Sequence, residues 1–336
     1  MSQILSNNLL VNGLRTEFVD TYQAIKNRQA DGRLGLVMDL SLKATNRKHT
    51  FAYLNASPHP EEWKHGESIP TDAMQSVQFD ADVWNWARRV PWHKYDRDDD
   101  QTQSLFEMAR MVGEGHALIP ERIFFNLLLD DTTDLLPSVP NAPDGTAFFT
   151  TNTRFEATGG NTVTKAGVTT IHDIRANYYT ALERFMAFKD GKGQPLLNQS
   201  IIDSGVVIVH AAASTEVFET AFLQSRQIIG IDAAGAVGGT VVAAGASTNL
   251  NQEISGRNVV LWGTSRLTTA DEWYVFLQGV PKKATALLDR QDVQEFSAVA
   301  SDNNSDSVRD TGTEYIQFES RSGGIIALPF GAIKVA

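Results

Sequence analysis

A run of aromatic residues that leads into a cluster of acids and then into a helical pattern is the most constraining feature of this chain. The aromatic and apolar residues of the run occupy alternate positions: Trp84, Trp86, Val90 and Trp92. An extended run over 76–92 places them on one face, and most positions between them are polar or small. The alternation therefore predicts a strand with one buried face.

Acidic residues follow this strand and indicate where a helix begins: Asp96, Asp98, Asp99 and Asp100. Negative charge favours the amino end of a helix, where backbone N–H groups lack partners, so we predict a helix start near Gln101. An apolar stripe then continues at helical spacing: Leu105, Met108, Val112 and His116. The spacing predicts a long helix with this stripe against the core.

Further helices and strands are indicated along the rest of the chain. Pro120 is suited to the first turn of a second helix, whose predicted apolar face is Ile123, Phe124, Leu127 and Leu128. An N-terminal helix is predicted by the stripe Leu14, Phe18, Tyr22 and Ile25, and another over 171–188 by Ile174, Tyr178, Leu182 and Phe185. A strand at 206–210, a helix from Ser214 and a β-rich final third complete the prediction.

The order of several segments resembles the major head subunits of Mu-like tailed phages, which belong to the HK97-fold capsid proteins. The resemblance lies in VPWHKYDRDDDQ at 90–101 with the Pro-led segment after it, and in YLNASPHPEEWKHGESI at 53–69. It continues in ALERFMAFKDGKGQPL at 181–196, in the strand at 206–210, and in EYIQFESRSGGIIALPFGAIKV at 314–335. These segments are spread over most of the chain.

The resemblance implies an α+β fold of the HK97-like type. Its expected parts are an N-terminal arm at 1–50, an extended loop at 51–95, a peripheral domain at 96–195 and 276–336 with a long spine helix, and an axial domain at 196–275. The arm and loop would reach across neighbouring subunits. The beginning at Met1, shortly before the first apolar stripe, leads us to expect a separate scaffolding protein.

The implied function is self-assembly into hexamers and pentamers that form an icosahedral head around phage double-stranded DNA, without sequence-specific binding. Scaffolding, portal and decoration proteins are the further implied partners. The protein would be located in the virion, whose head assembles in the cytoplasm of the host bacterium. We expect these residues at intersubunit contacts: Trp63, Lys64, Trp84, Trp86, Trp92, Gly235, Gly238 and Gly239. Lys64, the single lysine between 49 and 93, lies among glutamates, so we expect no covalent crosslink there.

Composition supports this reading and narrows the alternatives. The chain has no cysteine, which excludes disulfides, thiolate metal sites and a Cys nucleophile. No apolar run is long enough to span a bilayer and no signal peptide is evident, so we expect a soluble protein without a membrane partner. A net charge of −11 disfavours DNA binding by the whole surface, because phosphate contacts need clustered Lys and Arg.

Enzymatic readings have weaker support, and we expect neither catalysis nor a cofactor. The glycine-rich run at 230–245 lacks the Lys-Ser/Thr of a phosphate-binding loop and the spacing of a dinucleotide fingerprint. The seven histidines form no zinc-binding pair, and no nucleophile elbow occurs. Two alternatives remain: a nanocompartment shell of the encapsulin type, and a metal-dependent hydrolase that uses the acids between Asp96 and Asp100.

Overall fold

The computed structural model describes most of the chain and divides it into two units. The described residues are 7–54, 62–63, 68, 76–93, 95, 104–154, 159–165, 170–189, 193–223, 257–298 and 311–336. The first unit comprises 1–53, 77–148 and 285–327, and the second comprises 54–76, 149–284 and 328–336. Each unit has its own sheet and its own apolar core.

The first unit combines helices with a four-stranded sheet; all elements are numbered in chain order. Its helices are α1 (Asn7–Asp31), α2 (Arg33–Val37), α3 (Ser104–Ala117) and α4 (Ile119–Leu129). Its strands are β1 (Met38–Asp39), β4 (Trp84–His93), β9 (Thr285–Ala298) and β10 (Thr313–Ile326). A two-stranded ribbon is made of β2 (Lys48–Leu54) and β3 (Ser76–Asp82).

The strand order of this sheet is β1-β9-β10-β4, so β10 is central and β4 lies at an edge. β10 is antiparallel to both neighbours, with Thr313 opposite His93 and Ser322 opposite Trp84. Pro91 lies within β4, and an edge strand tolerates proline because one side of its backbone makes no ladder bonds. β4 therefore brings its aromatic residues to the border of the sheet.

Helices α1 and α3 cross closely above this sheet. The Phe18 ring of α1 stacks on Phe318 of β10, with the two centroids 3.6 Å apart, and both side chains are buried. A Cβ atom added to Gly113 of α3 would lie 2.8 Å from the carbonyl oxygen of Phe18, so only glycine fits this crossing. The core joins α1, α3, β4 and β10 through Leu14, Phe18, Val90, Ala109 and Ile316.

Helix α4 packs on β10 near the other end of the sheet. Ile123 and Leu127 approach Gly324 so closely that a Cβ there would be 2.4 Å from the nearest atom of Ile123. The predicted apolar face of α4 is confirmed, since Ile123, Phe124, Leu127 and Leu128 are all buried. Pro120 lies in the first turn, as predicted.

The second unit is a five-stranded mixed sheet with helices. Its strands are β5 (Thr162–Val163), β6 (Val206–Ala211), β7 (Val259–Thr264), β8 (Trp273–Leu277) and β11 (Ala332–Val335), in the order β5-β11-β8-β6-β7. Its helices are α5 (Ile171–Ala187), α6 (Gln199–Asp203) and α7 (Thr215–Leu223). β6 is parallel to β7 and antiparallel to β8, and every residue of β6 is buried.

Helix α5 confirms the prediction of a helix over 171–188. Thr170 and Asp173 form a reciprocal capping box that satisfies backbone N–H groups at its start. Its predicted face is buried: Ile174, Tyr178, Leu182 and Phe185. Tyr178 packs edge-on against Phe222 of α7, and burial raises the pKa of its hydroxyl to about 12.

The N-terminal apolar stripe packs within its own chain. Leu10, Leu14 and Phe18 are 3% exposed or less because α1 packs on α3 and β10 of its own chain. An apolar face used in this way is not available to a neighbouring subunit. The expected arm at 1–50 and the other expected domains remain predictions. The chain passes between the two units after residues 53, 76, 148, 284 and 327, whereas the expected axial domain begins at 196 and ends at 275.

The predicted faces of β4 and α3 are each correct in part. Val90 and Trp92 are buried, but Trp84 and Trp86 are half-buried. In α3 the buried stripe is Leu105, Ala109, Gly113 and Ala117, together with His116, while Met108 is 40% exposed. Small residues face α1 because the helices approach too closely for methionine. Among the described residues, no helix is long and apolar enough to cross a membrane.

Candidate interaction surface

An open groove lies between the exposed face of α3 and the edge strand β4, entirely within the first unit. Its volume is about 1000 Å³. The strand side is formed by residues 85–89 and Pro91, and the helix side by Met108, Met111, Val112 and Gly115. This surface, named here the Met108–Met111 groove, joins an edge strand to an apolar helix face.

Two exposed methionines lie on the helix side of the groove. Met108 and Met111 are 40% and 61% exposed, which is unusual for side chains of this size and polarity. They lie one helical turn apart and outside the small-residue stripe that packs on α1. Flexible, polarisable methionine side chains adapt to different contact shapes, so this surface is suited to binding another polypeptide.

Arginines border the groove. Arg88 and Arg89 come from β4 and Arg122 from α4. Arg89 donates to the side-chain oxygen of Gln317 at 2.8 Å and lies over the ring of Tyr315, 3.8 Å from its centroid. Arg122 pairs with Asp134 at 2.6 Å. In a protein with a net charge of −11, the guanidinium groups of Arg88 and Arg89 favour an acidic binding partner at this border.

The structure separates the three tryptophans of β4. Trp86 lines the groove and donates through Nε1 to the hydroxyl of Ser322 at 2.9 Å. Trp84 is half-buried and lines a small recess beside Asp80 and Asp82. Trp92 is only 3% exposed and belongs to the core of its own unit, so the expectation of an intersubunit contact at Trp92 conflicts with its burial.

Of the other predicted contact residues, Trp63 alone lies among the described residues. Its side chain is 54% exposed, and Glu62 beside it is also exposed. Lys64, Gly235, Gly238 and Gly239 lie outside the described residues, as do the acids between Asp96 and Asp100. Within the described part of the chain, no group of three His, Cys, Asp or Glu side chains is arranged to hold a metal ion.

A polar clamp fastens α1 to β9. The Tyr22 hydroxyl and the Lys26 ammonium both donate to Asp292, at 2.6 and 2.7 Å, and Arg15 pairs with Glu295 at 3.0 Å. Burial alone would raise the pKa of Asp292, but the hydrogen bonds from Lys26 and Tyr22 prevail and lower it. The clamp therefore requires an ionised carboxylate.

Sequence reasoning did not single out Met111, Arg88 or Arg89. The sequence of α3 does contain a pattern that could have identified Met111. Ala109, Gly113 and Ala117 recur at helical spacing, and such small residues indicate the side of a helix that packs closest to another helix. Once that stripe is chosen as the buried face, Met108 and Met111 must lie to one side of it. Arg89 falls among the polar alternate positions of β4 and Arg88 has the parity of the tryptophans, and neither position by itself indicates a contact with α3.

No protein-family model matches the chain, and no curated protein matches it by sequence. Similar solved structures do exist, at low sequence identity. A virus-like particle from Pyrococcus furiosus is 8% identical with a TM-score of 0.50, and the alignment covers 97% of this chain and 98% of that one.

Two phage structures are similar over nearly the same length. The capsid of Myoviridae Phage XM1 is 8% identical with a TM-score of 0.51, covering 90% of both chains. The capsid of Cyanophage P-SCSP1u is 12% identical with a TM-score of 0.50, covering 89% of this chain and 86% of that one. These likenesses establish the fold, which is the α+β, HK97-like fold of capsid proteins.

Proposed function

We propose that this chain is a major capsid subunit of a tailed phage, of the Mu-like kind, which assembles with copies of itself into hexamers and pentamers of an icosahedral head. The observation that carries this proposal is likeness to capsid structures along 89% or more of the chain. The head would enclose double-stranded DNA. Scaffolding, portal and decoration proteins would be further partners during assembly in the host.

The Met108–Met111 groove gives this proposal a specific intersubunit contact. Trp63 and Glu62 are exposed on the segment between β2 and β3, which the sequence resemblance assigns to a loop that reaches a neighbour. In the proposed contact, Trp63 of one subunit inserts between the methionines of the next, and Glu62 lies near Arg88. Aromatic anchors in apolar pockets typically dominate the energy of such contacts. Trp86 of the groove would contact the same loop.

Charge is compatible with a shell that holds DNA. A net charge of −11 leaves the subunit without a generally basic surface, so DNA would be confined by the shell and not bound tightly to it. Many modest contacts repeated over a closed shell add up to a stable particle, because each subunit is held by several neighbours at once.

Sedimentation and negative-stain microscopy of the purified full-length chain test the proposal. We expect closed particles of megadalton mass, and nuclease-protected DNA inside particles isolated from infected cells. A folded chain that stays monomeric under all assembly conditions would contradict the shell function. Turnover that depends on a divalent cation, in that monomer, would favour the hydrolase alternative.

A nanocompartment shell of the encapsulin type is the alternative within the same fold, and the phage capsids among the similar structures favour it less than a phage head. The contents of the particles separate the two functions. Packaged protein without DNA would favour the nanocompartment, and packaged DNA would favour the phage head.

A further inference from the structure

His116 occupies a buried position in the last turn of α3, between α1 and the sheet. Only 6% of the residue is exposed. Its ring meets the Phe18 ring edge-on, with centroids 5.9 Å apart, and its Nδ1 atom is 3.3 Å from the hydroxyl oxygen of Ser320 in β10. The imidazole of His116 thus contacts both α1 and β10, the two elements on which α3 packs.

Charged groups line the two cavities beside His116, and the acids among them already have partners. A small cavity on one side is lined by Tyr22 and Lys26 of α1 and by Asp289 and Asp292 of β9. Asp292 accepts from Tyr22 and Lys26, and Asp289 pairs with Lys43. On the other side lies the Met108–Met111 groove, with cations at Arg88, Arg89 and Arg122. β10 contributes the uncharged Ser320 and Ser322.

We propose that His116 is an acid-sensitive lock, whose neutral ring packs α1 against α3 and β10 and whose protonation loosens α1. A proton on the ring would place a positive charge beside the Phe18 ring, at a position where only 6% of the residue is exposed to water. The hydroxyl of Ser320 offers only a neutral acceptor. The charged form therefore gains more from an opened arrangement, in which water reaches the ring, than from the closed one.

Burial lowers the pKa of His116 below its ordinary value of 6.5, which fixes the direction of the effect. In the closed state the ring stays neutral at pH values where the opened state binds a proton. Stability of the closed arrangement is therefore complete above pH 6.5 and is lost as pH falls from 6.5 toward the lowered value. The Asp292 clamp acts in a lower window, below the ordinary carboxyl pKa of about 3.9.

Hydrogen exchange of the full-length chain measures this opening directly. Backbone amides of α1 would be followed at about pH 7.5 and about pH 5.5, with correction for the intrinsic effect of pH on exchange. We expect the opening constant of α1 to rise by up to about tenfold per pH unit below 6.5 in the wild type. In His116→Gln, which keeps a polar side chain and cannot bind the proton, that rise should disappear.

His172→Gln is the matched control, because His172 is exposed on α5 in the second unit and its replacement should leave the rise unchanged. A rise of equal size in His116→Gln would overturn the proposal, as would a wild type whose α1 exchange does not change. If the Gln variant does not fold, NMR of wild-type protein with labelled histidine rings can follow the titration of His116 instead. Titration of His116 below 6.5 together with the opening supports the lock, and a midpoint at or above 6.5 overturns it.

Discussion

Trp92 Nε1 donates a hydrogen bond to Glu314 Oε2 at 2.6 Å across the β4–β10 pair, and the two residues are only 3% and 1% exposed. This contact places an indole N–H beside a carboxyl group inside the core of the first unit. Buried polar groups are costly to leave without their partners. Trp92 therefore stabilises the fold of its own chain.

Trp92→Phe should lower the free energy of unfolding by about 1–3 kcal/mol, because the carboxyl group of Glu314 loses a donor while most apolar volume is retained. Urea unfolding of the full-length chain measures the change. Trp86→Phe provides a comparison at the half-buried groove and should cost less. Unchanged stability together with failed assembly of Trp92→Phe would instead support the intersubunit contact that the sequence predicts.

Two glycines of α3 should respond to alanine in opposite directions. Gly113→Ala places a Cβ 2.8 Å from the backbone oxygen of Phe18, so α1 must shift, and we expect a loss of about 1–3 kcal/mol. At Gly115 no atom beyond its chain neighbours and the adjacent backbone of α3 lies within 4 Å of the added Cβ, so Gly115→Ala should stabilise the helix by up to about 1 kcal/mol. Thermal and urea unfolding measure both. Equal effects would mean that the α1–α3 crossing is looser than described.

Asp292→Asn should remove part of the pH dependence of stability in acid. The ionised carboxylate contributes above its unfolded pKa of about 3.9, and this contribution is lost as pH falls through the lower folded value. We expect the variant to melt below the wild type at neutral pH, and the difference to close in strong acid. Tyr22→Phe removes one of the two donors and should show a smaller difference of the same sign. A difference that grows in acid would contradict the clamp.

Trp63→Ala should leave a soluble, folded subunit that assembles poorly, because an aromatic anchor at an interface typically contributes ~2 kcal/mol or more. Sedimentation reports assembly, and circular dichroism reports folding. Phe296→Ala is the control, since Phe296 is an aromatic of similar exposure, 49%, outside the groove. Loss of helical signal in Trp63→Ala would show that Trp63 belongs to a core.

Lys64 should form no covalent crosslink between subunits. Its sequence neighbours Glu61, Glu62 and Glu67 favour the charged ammonium, which is not nucleophilic. Denaturing electrophoresis of mature particles should give a single band near 36.9 kDa. A ladder of larger species that disappears in Lys64→Ala would refute this expectation.

The sequence by itself determined where most helices and strands occur, because apolar spacing and caps act over a few neighbouring residues. The α4 face, the α5 face with Tyr178, and the buried strand β6 follow from such local patterns. The order of weakly similar segments also indicated the α+β, HK97-like fold that the solved structures share.

Only the tertiary structure decided which surfaces remain open. Met108 and Val112 fit an apolar stripe as well as Ala109 and Gly113 do, and the choice between them depends on how closely α1 approaches α3. Likewise, Trp86 and Trp92 share a strand face, but Trp92 is buried in the core and Trp86 is only half-buried. The groove, the Asp292 clamp and the position of His116 arise from contacts between residues far apart in the chain, because packing of one element on another sets burial and no local pattern specifies it.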